Sequence, residues 1–174
     1  RLATQTMAKE QSLIMLGFPG ITYADEERSA LEVMTAVLSG MSGRLFQAVR
    51  EEHGLSYTLG AVNVPGWDPG YLVIYAATRP NEQQRVLEVL DDELRSVLSD
   101  GFTEEEVALA KQYLIGTHRL DIQHLAGLAK RAALDELYGI GYDAWADYEA
   151  RITHVTTPLV HEAERMAVLG LVHV

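Results

Sequence analysis

The loop PGWDPG, Pro65 to Gly70, separates two strand-like runs, and the second run limits the fold more than any other stretch. Two prolines and two glycines in six residues interrupt regular pairing and read as a hairpin connection. Before the loop stands LSYTLGAVNV and after it GYLVIYAAT. The second run is apolar on both parities, so it belongs at the centre of a sheet with cover rather than at an edge. A further short apolar run, QSLIMLG (Gln11 to Gly17), reads as another strand.

Between the first strand and the hairpin lie two amphipathic runs. In the first, Asp25 is expected to cap EERSALEVMTAVLSG, with Leu31, Met34, Val37 and Leu38 on one face and Gly40 beyond the end. The second spans about Ser42 to His53, with Leu45, Phe46 and Val49 as its apolar stripe and Gly54 at the stop. After the hairpin the chain is helical. Asn81 is placed to cap EQQRVLEVLDDELRSVLSD, where Val86, Leu90, Leu94 and Val97 align and Gly101 follows. Thr103 and Glu106 have capping-box spacing and open a helix from Glu104 towards Asp121. Further helices are expected from His124 to Tyr138, from Asp143 to Ile152, and from the Thr157-Pro158 pair onward, with VLGLVHV as a closing strand. This order predicts an α+β fold with an antiparallel sheet and helices packed on one face, as a single domain over residues 1–174.

Charge and composition remove several function classes. Net charge is −11 and the pI near 4.9, which disfavours nucleic acid as a partner. The chain has no cysteine, so disulfides and thiolate metal ligands are excluded. No run is long and apolar enough for a membrane span and no signal pattern opens the chain, so no membrane partner and a cytoplasmic location are expected. The first residue is Arg1 rather than Met, which reads as a processed chain or a segment of a longer protein.

Two stretches imitate zinc motifs. VREEH (Val49 to His53) matches H-x-x-E-H with valine at the first ligand, and HEAER (His161 to Arg165) matches H-E-x-x-H with arginine at the last. The six histidines are His53, His118, His124, His154, His161 and His173, and no two are four apart. No metal ligands are therefore assigned. No G-x-S-x-G elbow and no phosphate-loop lysine are present. Carboxylate runs such as Asp91-Asp92 and Glu104 to Glu106 read as helix faces and first turns.

Arg50 and Tyr57 remain. Arg50 stands in the last turn of a helix, where a cation complements the dipole, and Tyr57 can be an ordinary strand aromatic. Yet the intervening EEHGLS turns the chain, so the two could share one cleft. A guanidinium donates to carbonyl oxygens without titrating, and a phenol can donate to an oxygen that gains negative charge.

At these residues the chain resembles the C-terminal, zinc-free domain of the pitrilysin-type (M16) metallopeptidases. The resemblance is carried by LSGMSGRLFQAVREEHGLSYTLGA and extends from KEQSLIMLGFPG through GYLVIYAATRPN and LSDGFTEEEVALAKQYLIG to ITHVTTPLV. Gly43 departs from the pattern, standing where many relatives have a second serine before the arginine. The resemblance implies the LuxS/MPP-like metallohydrolase fold and a clamshell of two related halves closing on a peptide substrate. The absent N-terminal half would carry H-x-x-E-H and the zinc, so no cofactor is expected in this chain. By resemblance Arg50 binds a substrate carbonyl, and Tyr57 acts in substrate binding and in catalysis by stabilising the oxyanion. The expected partner is that zinc-binding domain, in cis or as a subunit in trans, compatible with a homo- or heterodimer. The isolated chain is expected to be inactive. Other readings are a zinc-free partner subunit, a structural scaffold of a hetero-oligomer, and a stand-alone small-molecule binding domain.

Overall fold

A computed structural model of the protein describes residues 3–5, 10–40 and 43–169. Three strands form one antiparallel sheet in these residues: β1 (Ser12–Pro19), β2 (Thr58–Val64) and β3 (Tyr71–Thr78), in the order β1-β3-β2. The apolar run after PGWDPG is the central strand, as its composition requires. In register, Ile14, Leu16 and Phe18 of β1 stand opposite Ala76, Ile74 and Leu72 of β3, which face Leu59, Ala61 and Asn63 of β2 across the other ladder. Leu72, Ile74 and Ala76 are buried, whereas Leu13, Met15, Val62 and Tyr71 on the opposite parity are exposed. One face of the sheet is therefore covered by helices, and the other is open among the described residues.

Helix α1 (Arg28–Ser39) follows β1 and is the centre of the helical layer, packing against β2 and against helices later in the chain. Leu31, Met34, Val37 and Leu38 are all buried, and so is Val33. Each such side chain contributes roughly 1.5–3 kcal/mol by leaving water. Thr35 lies in the same buried face, and its hydroxyl donates to the Leu31 carbonyl at 2.7 Å. A hydroxyl so bonded can be buried without leaving a donor unpaired.

Asp25 does not cap α1. Its carboxylate accepts from the Thr22 backbone N–H at 2.7 Å, and Glu27 holds the cap position without a side-chain bond. A short acidic side chain beside a turn finds that nearer donor first. Asn81 is likewise displaced: it lies in a 3-10 turn, Pro80–Glu82, and helix α2 (Gln83–Asp100) starts after it. Val86, Leu90, Leu94 and Val97 are buried along α2 as the spacing predicts. Gly101 ends the helix at φ 71°.

The Thr103/Glu106 capping box forms with both reciprocal bonds and opens α3 (Glu104–Ile122). Then come α4 (Leu125–Leu137), a 3-10 turn (Ala144–Asp147) joined to α5 (Tyr148–His154), and α6 (Thr157–Leu169). Val168 and Leu169 belong to α6, and the rest of the expected closing strand lies outside the described residues.

Candidate functional site

The second amphipathic run is not a plain α-helix. After a first turn at Arg44 and Leu45 it winds as a π-helix, Phe46–Glu52. Leu45 and Val49 are fully buried, and Ala48 is buried beside them. The wider winding carries through to the exit. Gly54 N–H donates to the Arg50 carbonyl at 2.9 Å and Leu55 N–H to the Val49 carbonyl at 3.0 Å. The first is the five-to-one bond of a left-handed helix end, and the second spans one residue more than the outer bond of a Schellman end. Gly54 adopts φ 62°, the left-handed conformation that such an exit needs. Single π turns often accompany functional positions.

This corner brings Arg50 and Tyr57 together. The Arg50 guanidinium carbon lies 4.4 Å from the Tyr57 ring centroid and 4.6 Å from that of Phe46. Tyr57 is 80% exposed, and Arg50 is half-buried. Glu51 is the acidic neighbour of Arg50 at 3.7 Å, too far for a hydrogen bond. Stacked on two rings, the guanidinium is fixed in orientation while its edge N–H groups remain able to donate. Phe46 as a platform for Arg50 was missed in sequence. The signal was there, since an aromatic four residues before a cation shares its helix face.

His53 has a local task. Its Nδ1 lies 2.7 Å from the Ala48 carbonyl oxygen, and its Nε2 lies 3.3 Å from Nη2 of Arg85. The ring thus binds a carbonyl at the end of the π-helix. His161 is also engaged, accepting from the Phe102 backbone N–H at 2.7 Å. Among the described residues no group of three or more His, Cys, Asp or Glu is placed to hold a metal ion.

Arg44 anchors the start of the corner. Its Nε donates to Glu106 at 2.6 Å, its Nη2 to the Gly101 carbonyl at 2.9 Å, and its Nη1 lies 3.7 Å from Glu93. Burial acts to raise the Glu106 pKa, but the bonds from Arg44 and from Thr103 outweigh it and hold the carboxyl at about 2. A single arginine thus ties the π-helix to the C-terminus of α2 and the N-terminus of α3.

Residues 1–114 match the family profile described as the peptidase M16 inactive domain. The chain belongs to the M16 family. An uncharacterized zinc protease of Streptomyces coelicolor is 36% identical to this M16 domain over 157 residues, covering 90% of it and 34% of the relative. An uncharacterized zinc protease of Bacillus subtilis is 33% identical over 135 residues, covering 77% and 33%. The M16 domain therefore spans about a third of the length of these relatives. Among solved structures, the M16 inactive domain from Pseudomonas fluorescens superposes with a TM-score of 0.84 at 23% identity, over 92% of this chain and 38% of that one. The inactive peptidase domain of a zinc protease from Bordetella parapertussis superposes at 0.81 and 18% identity, over 95% and 91%. These likenesses give the fold.

Among the described residues the donor set does not suit zinc. Helix α1 contains no histidine, and His53 and His161 are committed to backbone groups. Being an M16 inactive domain is consistent with a companion N-terminal domain. No helix of the described residues is long and apolar enough to cross a membrane.

Proposed function

We propose that this chain is the substrate-binding half of an M16 zinc endopeptidase, folded as one domain over 1–174. Arg50 binds a carbonyl of the peptide. Tyr57 donates to the oxyanion that forms when the scissile carbonyl is attacked. The zinc and its ligands belong to the N-terminal half, joined in cis or supplied by a partner subunit. The observation that supports this most is the contact between Arg50 and Tyr57 at an exposed corner, made between a residue of the π-helix and one just before β2.

The two groups suit different stages of one reaction. A guanidinium holds its charge at any working pH and suits binding of the substrate carbonyl before reaction. A phenol within reach of the developing oxyanion bonds it more strongly as charge accumulates, which lowers the barrier. The open face of the sheet, with Leu13, Met15, Val62 and Tyr71 exposed, supplies an apolar wall suited to peptide side chains.

Tyr57→Phe in the full-length protein tests the reading. We expect kcat to fall by about 10²–10³, the scale for loss of one oxyanion donor, with KM nearly constant. An unchanged kcat would remove Tyr57 from catalysis. A full-length protein that hydrolyses no peptide and binds no zinc would instead make the chain a partner subunit or scaffold.

A further inference from the structure

A second concave site lies away from the Arg50 corner. A cavity of about 370 Å³ opens between α1, α3, α4 and the end of β2. That is within the range of small-molecule sites, about 300–1,000 Å³. Its charged lining is Arg28, Arg131 and Glu32, two cations against one carboxylate in a chain of net charge −11.

Both arginines are held in place. Arg28 lies over the Tyr23 ring at 4.5 Å and donates through Nη1 to the Tyr23 carbonyl at 2.8 Å. Arg131 donates through Nε to the fully buried Asp135 at 3.2 Å, and the Tyr23 hydroxyl donates to the same carboxylate at 3.2 Å. Glu32 accepts from the Tyr148 hydroxyl at 2.6 Å. Each guanidinium uses one of its five N–H donors in these bonds. The lining thus holds oriented, unfilled donors of the kind that bind a carboxylate.

Asn63 adds a complementary demand. It lies on the inner parity of β2, opposite Leu72, and lines the same cavity. Its Oδ1 is buried and has no hydrogen-bond partner. A buried acceptor left unpaired is costly, so the site is suited to a ligand that brings an N–H donor. Ala36, Ala61, Pro65 and Leu114 complete an apolar wall.

We propose that this cavity binds an α-carboxylate group flanked by an N–H donor and an apolar side chain, the chemistry shared by the C-terminal residue of a peptide and a free apolar amino acid. Arg28 and Arg131 take the carboxylate, Asn63 takes the N–H, and the apolar wall takes the side chain. The site is independent of Arg50 and Tyr57 and of any peptide cleavage.

The probes are N-acetyl-alanyl-leucine, its C-terminal amide, leucine and inorganic phosphate, each titrated into the chain and followed by amide NMR shifts. The acid dipeptide is expected to saturate, moving the signals of Asn63, Arg28 and Arg131. Its amide should bind at least about tenfold more weakly, the scale of one charge-assisted bond. Leucine binding as tightly as the dipeptide would support the proposal with an amino acid as the source, and preference for the dipeptide would support a peptide end. Arg28→Gln and Asn63→Leu should each weaken binding, and Asn63→Leu should do so without lowering the melting temperature. Equal binding of acid and amide, tighter binding of phosphate than of the dipeptide, full affinity in Asn63→Leu, or no saturable binding would each overturn the proposal.

Discussion

The Arg50 guanidinium lies over the Tyr57 ring across a helix-to-strand corner, its carbon 4.4 Å from the ring centroid. Arg50 lies in the last turn of the π-helix and Tyr57 precedes β2, so the contact depends on Gly54 turning the chain between them.

If that contact serves substrate rather than stability, the two effects should separate on mutation. Arg50→Ala removes two half-exposed cation–π contacts, to Phe46 and Tyr57, and should cost about 1–2 kcal/mol of folding free energy. In the full-length protein the same change should raise KM for peptides by about tenfold or more, the scale of a lost charged hydrogen bond. Thermal melts beside Michaelis curves check this. A drop in stability large enough to account for the lost activity would make Arg50 structural.

Glu106 predicts the acid limb of stability. Its folded pKa of about 2 lies below the usual 4.5. The unfolded chain therefore takes up this proton first as pH falls. The stability Glu106 contributes is complete above pH 4.5 and is lost as pH drops through about 2. Glu106→Gln should shift the midpoint of urea unfolding strongly at pH 6 and much less at pH 2.5. Parallel pH profiles for the two proteins would disprove the assignment.

Glu164 acts in the opposite direction. It is buried in α6, and its Oε1 has no hydrogen-bond partner. Burial pushes its carboxyl up to about 7, against the weaker attraction of Arg44 and Arg165. The folded state therefore holds this proton more tightly than the unfolded state, and stability falls as pH rises from 4.5 through 7. Glu164→Gln should raise the melting temperature at pH 8 and change it little at pH 4.

Two glycines at helix ends should respond unequally to alanine. Gly54 has φ 62° and open space where a Cβ would stand, so Gly54→Ala should cost only the left-handed backbone penalty of about 1–2 kcal/mol. Gly101 has φ 71°, and a Cβ there would lie within 2.4 Å of the His161 ring. Gly101→Ala should cost clearly more, because His161 must also give up its bond to Phe102. Equal losses in chemical denaturation would show that His161 moves freely.

Much of the frame was legible because it rests on short-range chemistry. Thr103 and Glu106 are three residues apart and formed their capping box as read. The run Tyr71–Thr78 is apolar on both parities and became the central strand. Errors came where a short polar side chain had two local partners, as Asp25 did. The π winding at Phe46–Glu52 was illegible, because Leu45, Ala48 and Val49 have the i, i+3, i+4 spacing of an ordinary α-helix face.

The sequence by itself determined the order of strands and helices and the glycine exit at Gly54, and it left open whether Arg50 and Tyr57 meet. The tertiary structure alone decided which distant side chains meet. Arg44 reaches Glu106 across 62 positions, Tyr23 reaches Asp135 across 112, and Tyr148 reaches Glu32 across 116. Caps and turns are set by torsions and donors within a few residues. Pairings of this range depend on the path of the packed chain, which brings Arg28, Asn63 and Arg131 around one cavity though nothing in their spacing connects them.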